Sequence, residues 1–127
     1  MTPEETVLDY YEALRRGEPL YPYFVERAET WKAAISTQYS GYDAVSEALR
    51  EQSRTTDEWT VESEALSVTE RDGLALFEDA VRLAWTDTRT GERRGFDSRW
   101  SGVLEALDGD DEEWEFLQLH VSAPRSI

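Results

Sequence analysis

The chain has 127 residues, 28 of them acidic and 13 basic, with a formal net charge of −15 and no cysteine. This length is enough for one domain with its own hydrophobic core, and the lack of cysteine excludes disulfides, thiolate metal sites and cysteine nucleophiles. So negative a chain repels phosphate backbones, which argues against a nucleic-acid partner.

The first part of the chain predicts two helices and a short strand. A helix over 2–17 carries an N-cap, a proline in its first turn, a capping box and a glycine stop, at Thr2, Pro3, Glu5 and Gly17. Two prolines limit the next segment to a turn-like helix at 21–25, and 30–37 can form a short strand. Apolar residues at helical spacing predict a second helix over 43–52, opened by Gly41.

The rest of the chain predicts long antiparallel strands. Their segments are 58–70, 74–88, 94–107 and 113–124, separated by an Asp72-Gly73 turn, a Thr90-Gly91 turn and the acidic loop DGDDEE at 108–113. Helices followed by a meander of strands indicate a single α+β domain over 1–127, with the helices on one side of the sheet.

Three motifs in this order resemble those of a known family. They are a G-x-D-A-V-x-x-A-L helix, an Arg-x-Ser on the penultimate strand, and a closing W-x-F-x-x-x-H-x-S-x-P strand. The matching residues are Gly41, Asp43, Ala44, Val45, Leu49, Arg99, Ser101, Trp114, Phe116, His120, Ser122 and Pro124. The chain thus resembles the SnoaL-like branch of the nuclear transport factor 2-like superfamily. Its closing strand is also similar to that of the association domain of calcium/calmodulin-dependent kinase II.

The resemblance implies a specific version of the α+β fold. The expected sheet is antiparallel, strongly bent and cone-shaped, is closed on one side by the first helix, and holds a pocket inside the cone. The resemblance further implies a homodimer formed through the sheet. The superfamily contains isomerases, dehydratases and polyketide cyclases as well as proteins without known catalysis, so the site must decide the function.

His120 is the only histidine of the chain. Strict alternation along a strand would place it on one face with Trp114, Phe116, Gln118 and Ser122. Such a mixed aromatic and polar face suits a pocket wall, where His120 could act as a base. It equally suits a dimer interface, where the imidazole would only make a hydrogen bond, and both interpretations stay open.

Charged residues inside the predicted strands are the other candidates. Arg99 on a half-buried strand needs a carboxylate, a ligand anion or water as its partner. It could anchor a ligand carboxylate or enolate, or it could pair with Asp97 on the same face. Asp79 interrupts an apolar segment and could be a general base if buried, or part of a salt-bridged sheet surface. The candidate catalytic residues are therefore His120, Asp97 and Asp79.

Aromatic side chains are expected to line the pocket, since small-molecule sites combine aromatic walls with a few polar groups. The candidate ligand-binding residues are Arg99, Tyr10, Tyr11, Trp31, Tyr39, Trp85 and His120. One histidine, no cysteine and no loop with calcium-site spacing predict that no metal is bound. Glycine loops that hold phosphates are absent, so we expect no cofactor.

These observations leave three functional hypotheses. The first is a homodimeric small-molecule-binding domain for an anionic or carbonyl-bearing ligand. The second is an acid/base enzyme on the same scaffold, of isomerase, dehydratase or cyclase type, and the third is an assembly module with a vestigial pocket. No apolar run is long enough to span a membrane and the N-terminus is unlike a signal peptide, so a cytoplasmic protein is expected. The acid-rich, lysine-poor composition also suggests a halophilic source, because high salt screens self-repulsion.

Overall fold

The computed structural model describes residues 1–107 and 110–124, with the backbone alone for 110–112. Over these residues, two α-helices, one short 3-10 helix and seven strands form an α+β fold. In chain order they are α1 (Pro3–Arg16), the 3-10 helix (Tyr21–Tyr23), β1 (Trp31–Ala33), β2 (Gln38–Ser40), α2 (Tyr42–Thr55), β3 (Thr56–Ser63), β4 (Ser67–Arg71), β5 (Leu74–Asp87), β6 (Arg93–Leu107) and β7 (Asp110–Ser122). The loop predicted at 108–113 falls partly on residues 108 and 109, which lie outside the described residues, and β7 begins directly after them.

The helices α1 and α2 confirm the two predicted from sequence. At the start of α1, Thr2 Oγ1 accepts a hydrogen bond from Glu5 N (3.1 Å) and Glu5 Oε1 accepts one from Thr2 N (2.8 Å). Gly17 ends the helix in the left-handed conformation that glycine adopts without strain, with φ of 69°. The buried face of α1 includes Val7, Tyr10, Tyr11 and Leu14.

The strands form one sheet in the order β2-β1-β7-β6-β5-β3, with β4 also paired to β5. All neighbours are antiparallel except β1, which pairs with β7 in parallel, so the sheet is mixed rather than wholly antiparallel. The segment predicted as one short strand at 30–37 forms only β1. Its hairpin partner β2 was not predicted, because three residues carry too little periodicity to be recognised.

The long strand predicted over 58–70 is interrupted. β3 and β4 lie along the same edge of β5, with partners Ser63↔Val81 and Ser67↔Glu78 on either side of the break. Within the break, Ala65 N donates a hydrogen bond to Asp79 Oδ1 (2.9 Å) instead of to a strand carbonyl. A buried carboxylate of β5 therefore takes the place of a ladder hydrogen bond.

A β-bulge in β7 changes which side chains face the helices. Val103 of β6 is opposite Gln118, but the next residue, Leu104, is opposite Phe116. Leu117 is thus the extra residue, and the alternation shifts by one position there. Trp114 and Phe116 are buried, as are Leu119 and Val121 beyond the bulge. The uninterrupted face predicted for His120, which included Trp114 and Phe116, is therefore wrong.

The core lies between the helices and one face of the sheet. Its largest fully buried side chains include Tyr10, Tyr11, Phe24, Leu104 and Phe116. We call the opposite face the outer face. It is covered by neither α1, α2 nor the 3-10 helix and holds the exposed side chains of β5 at alternate positions from Leu74 to Arg82. In the part of the chain that the structure describes, no helix is long and apolar enough to cross a membrane.

Candidate functional site

A cavity of about 200 Å³ lies between the helices and the sheet, and we call it the inner cavity. Both helices contribute to its wall, and five of its lining residues are apolar or aromatic side chains of the sheet: Trp59, Leu83, Trp85, Trp100 and Val121. Tyr10 and Leu14 of α1 close one side. The polar groups of the lining are few: Lys32, Ser36, Gln52 and Thr56. This combination is typical of a small-molecule site.

The tryptophans of the inner cavity are held by contacts within the protein. The rings of Trp59 and Trp85 stack with centroids 4.8 Å apart. Trp59 Nε1 donates to Thr56 Oγ1 (3.0 Å), and Trp100 Nε1 donates to Ser98 Oγ (3.1 Å). Because both indole N–H groups are already satisfied, these two side chains present mainly apolar ring surface to a ligand.

Lys32, the only lysine of the chain, contributes the positive charge of the inner cavity. It lies on β1, opposite Leu119 of β7, and its side chain is 94% buried, with a relative exposure of 6%. Among the described residues it has no hydrogen-bond or ion-pair partner. Burial lowers the pKa of Lys32 from 10.5 to about 8, because desolvation disfavours the ammonium form.

The inner cavity adjoins a surface groove of about 520 Å³ between β1, β2 and α2. Lys32, Gln52 and Thr56 line both spaces. The outer part of the groove is bordered by Tyr39 and Arg89. The groove therefore offers a route by which a small molecule can reach the amino group of Lys32 from solvent.

Asp79 lies on the helix-facing side of β5, with a relative exposure of 5%. Its Oδ2 accepts hydrogen bonds from Tyr11 Oη (2.9 Å) and Ser63 Oγ (2.6 Å), and its Oδ1 accepts one from Ala65 N (2.9 Å). Three donors satisfy this buried carboxylate. Asp79 does not line the inner cavity. Its geometry matches a structural role that joins α1, β3 and β5.

The other candidate charges lie on the outer face. Arg99 and His120 are exposed and border the same open groove of about 440 Å³, which Asp79 also lines. Asp97 pairs with Arg82 (2.7 Å) rather than with Arg99, and both partners are more than half exposed. The His120 ring lies 6.2 Å from that of Trp31, centroid to centroid. None of these four candidates, Arg99, His120, Asp97 and Trp31, lines the inner cavity.

The structure thus divides the candidate residues into separate groups. Tyr10 and Trp85 line the inner cavity and Tyr39 borders its entrance groove, whereas Tyr11 binds Asp79. Sequence reasoning missed Lys32. The available signal was a single lysine between Trp31 and Ala33 in a chain whose other strongly basic residues are all arginines.

Metal chemistry receives no support from the described residues, where no group of three or more His, Asp or Glu side chains could hold an ion. The inner cavity itself contains no carboxylate among its described lining residues. A binding event there would rest on aromatic surface, a few neutral polar groups and one amino group.

The fold and this cavity define a protein of the nuclear transport factor 2-like class. The chain belongs to the SnoaL-like domain family, whose model matches residues 4–126. No curated protein sequence matches the chain. Sequence matching thus assigns the family and goes no further.

Similar solved structures share the fold at low sequence identity. A nuclear transport factor 2-like superfamily protein from Salmonella enterica has a TM-score of 0.81 and 17% identity, covering 96% of this chain and 88% of that one. A provisionally named dehydratase of the same superfamily from Streptomyces avermitilis has a TM-score of 0.83 and 15% identity, covering 97% and 94%. A provisionally named calcium/calmodulin-dependent protein kinase type II association domain from Thiobacillus denitrificans has a TM-score of 0.75 and 13% identity, covering 98% and 96%. At these identities the likeness establishes the fold alone.

Proposed function

We propose that this protein binds a small organic anion or carbonyl compound in the inner cavity, with Lys32 as the polar anchor. The observation that carries the proposal is a largely buried lysine that lines an aromatic-walled cavity and has no hydrogen-bond or ion-pair partner among the described residues. This assigns to Lys32 the anchoring role that the sequence suggested for Arg99. Arg99 lies on the outer face, where water can solvate it.

The energetics of Lys32 favour a ligand with negative charge. Partial desolvation of the ammonium group raises the free energy of the folded state, and a pKa of Lys32 lowered from 10.5 to about 8 corresponds to about 3 kcal/mol at neutral pH. Between pH 8 and pH 10.5 the unfolded chain binds more protons at Lys32 than the folded chain does, so the free energy of unfolding rises with pH in this range. The destabilisation by the charged lysine is therefore full below about pH 8 and disappears as the pH approaches 10.5. A bound carboxylate would offset this penalty by pairing with the ammonium group.

The size of the inner cavity limits the ligand. An apolar cavity of about 150 Å³ can bind benzene, so a volume of about 200 Å³ has room for little more than one ring. This space suits a one-ring aromatic acid, a short keto acid or an aldehyde of similar size. The stacked pair Trp59 and Trp85 offers flat apolar surface to such a planar group.

The acid/base enzyme remains the alternative, and the assembly module a second one. The provisionally named dehydratases among the similar structures favour the enzyme. Two observations disfavour an acid/base residue among the candidates. Asp79 already accepts three hydrogen bonds from the protein, and Asp97 and His120 are exposed on the outer face. We therefore place binding first.

A thermal-shift experiment in molar potassium chloride tests the proposal. The panel contains benzoate, phenylacetate, short keto acids and the matching amides, and the proteins are wild type, Lys32→Met and Arg99→Leu. We expect a carboxylate to stabilise wild type and Arg99→Leu alike, by about 2.7 kcal/mol at 100 times the dissociation constant. The same compound should not stabilise Lys32→Met.

Two results would overturn the proposal. One is a ligand shift that survives in Lys32→Met, and the other is a shift lost in Arg99→Leu, which would return the site to the outer face. A compound set that stabilises none of the three proteins would also count against a functional inner cavity and favour the assembly module.

We also propose that the protein forms a homodimer through the outer face of its sheet. In support, no helix of the described residues covers this face, and it bears Leu74 and Leu76 with exposures of 41% and 50%. Trp31 and His120 border the same face. A second copy would bury these apolar side chains, and Arg99 and His120 would then lie close to the interface.

A further inference from the structure

We propose that Lys32 forms a reversible imine with an aldehyde or ketone held in the inner cavity. This inference rests on the proposed binding function and adds a covalent step to it. The geometry that supports it is a strand lysine, 94% buried as a residue, that has no hydrogen-bond or ion-pair partner among the described residues and lines both the inner cavity and its entrance groove. Since no fully buried side-chain nitrogen of the described residues lacks a partner, its amino group is open to these spaces.

Imine formation requires a neutral amine, and the burial of Lys32 increases the neutral fraction of its amino group. Burial lowers the pKa of Lys32 to about 8, so about a tenth of the amine is neutral at pH 7. A lysine with the ordinary value of 10.5 would be neutral in fewer than about one molecule in a thousand. Desolvation is the only cause of this lowering, so no nearby charge has to be removed for the reaction.

The charged groups around Lys32 are already paired with one another. From α2, Glu47 and Glu51 border the entrance groove, and both interact with Arg54, at 3.5 Å and 2.6 Å. From the β5–β6 connection, Arg89 pairs with Asp87 (3.2 Å). Of the titratable hydroxyls nearby, Tyr10 from α1 stays neutral because burial raises its pKa, and Tyr39 of β2 lies in the groove. None of these groups holds Lys32 in its charged form by an ion pair.

The reaction balances without any further reactant. The lone pair of Nζ attacks the carbonyl carbon, a C–N bond forms, and the carbonyl oxygen takes up a proton to give a carbinolamine. The hydroxyl then leaves as water while nitrogen loses its second proton, so that the amine and the carbonyl become a C=N bond and one water. Ser36 and Gln52 line the same cavity and carry groups that can hydrogen-bond to the carbinolamine oxygen. The adjoining groove gives the released water a path to solvent.

The chain itself makes this inference unusually easy to test, because Lys32 is its only lysine. In the printed chain the other primary amine is the N-terminal one, so a trapped adduct can have only two positions. Wild type is incubated at pH 7 with benzaldehyde or pyruvate and sodium cyanoborohydride, and the adducts are located by peptide mass spectrometry. The N-terminal adduct shows that the reagents are active in the same sample.

We expect one saturable adduct at Lys32. From the neutral fractions above, the native amine should react of the order of 100-fold faster than the same residue in urea-denatured protein. Lys32→Arg should give only the N-terminal adduct. Equal rates in native and denatured protein, or an adduct at Lys32 that does not saturate with carbonyl concentration, would overturn the inference.

Comparison with the thermal-shift result separates this inference from the proposed function. A carboxylate that stabilises wild type but not Lys32→Met, together with no trapped adduct at Lys32, would overturn the imine and leave the binding site intact. No stabilisation and no adduct would overturn both. An adduct at Lys32 whose formation benzoate inhibits would support both.

Discussion

At the scale of single residues, the structure separates two buried ionisable groups by their partners. Asp79 is surrounded by three hydrogen-bond donors, whereas Lys32 has no protein partner among the described residues. Buried polar groups in folded proteins are normally satisfied, so the satisfied group is explained by stability. The amino group of Lys32 is not fully enclosed, because no fully buried side-chain nitrogen or oxygen of the described residues lacks a partner. It borders the inner cavity, where we propose that a ligand takes the place of water.

Replacing Asp79 tests this distinction. Asp79→Ala leaves the Tyr11 and Ser63 hydroxyls and the Ala65 amide without their acceptor, so we expect a loss of at least about 2 kcal/mol in the free energy of unfolding. Denaturant unfolding measures the change. Glu78→Ala is the matched control, because the neighbouring side chain is exposed on the outer face and should change stability by less than about 0.5 kcal/mol. An Asp79→Ala protein as stable as Glu78→Ala would contradict a structural role.

Sequence reasoning identified Asp79 but not Lys32, for a physical reason. A carboxylate inside an apolar strand pattern breaks a visible rule, whereas a lysine in a three-residue strand resembles an ordinary exposed position. For Arg99 the prediction failed in the opposite direction, because a residue expected in the pocket is exposed on the outer face. Its strand alternates as expected, but which face of a sheet meets the helices depends on the tertiary packing, which strand alternation alone cannot indicate.

At the scale of elements, the helices and most strands follow from local sequence signals. The structure differs from the prediction where contacts between strands, rather than local signals, determine the backbone. The capping box, the glycine stop and the Asp72-Gly73 turn each appear as predicted, the turn with both residues at positive φ. The break between β3 and β4 and the bulge at Leu117 do not follow from their own sequences. Both depend on pairing with another strand, which the local sequence pattern does not indicate.

The bulge in β7 requires close approach of two backbones, and Gly102 of β6 allows it. A Cβ at Gly102 would lie 2.4 Å from Gln118 O and 2.8 Å from Phe77 Cε1, so the backbone of β7 would have to move. We expect Gly102→Ala to lower stability by about 1–3 kcal/mol in denaturant unfolding. Gly95→Ala on the same strand is the control, since its nearest contact is 3.5 Å away, and it should be nearly neutral. Equal stability of the two variants would show that β6 and β7 are not packed this closely.

At the scale of the whole molecule, the proposed dimer depends on the net charge of −15 and on the outer face of the sheet. Two chains of such charge repel each other at low ionic strength, and salt screens this repulsion. The composition-based expectation of a halophilic source stays a prediction, and it implies that dimer formation strengthens as potassium chloride is added. Arg27, Arg54 and Arg82 form ion pairs with acidic side chains, and these pairs reduce the repulsion only locally.

The proposed dimer can be tested on two exposed leucines. Leu76→Arg places a charge in the centre of the outer face, where it would be buried without a partner, and we expect it to give monomers. Leu8→Arg is the control, because Leu8 has a similar exposure of 43% but lies on α1. Light scattering after size-exclusion chromatography in molar potassium chloride gives the mass of each. A wild-type monomer, or a Leu76→Arg protein that stays dimeric, would contradict the interface.

The central claim is that Lys32, largely buried and without a protein partner among the described residues, binds a ligand in the inner cavity through its amino group. Because Lys32 is the only lysine, protein labelled with ¹³C at lysine Cε should give a single NMR resonance for that carbon, which can be followed from pH 6 to 11. We predict a titration midpoint of about 8 in the free protein, and a higher midpoint with the carboxylate that stabilises it, since a nearby anion favours the ammonium form. A midpoint near 10.5 that no carboxylate changes would contradict the claim, because it would mean that Lys32 is solvated and makes no contact with a ligand.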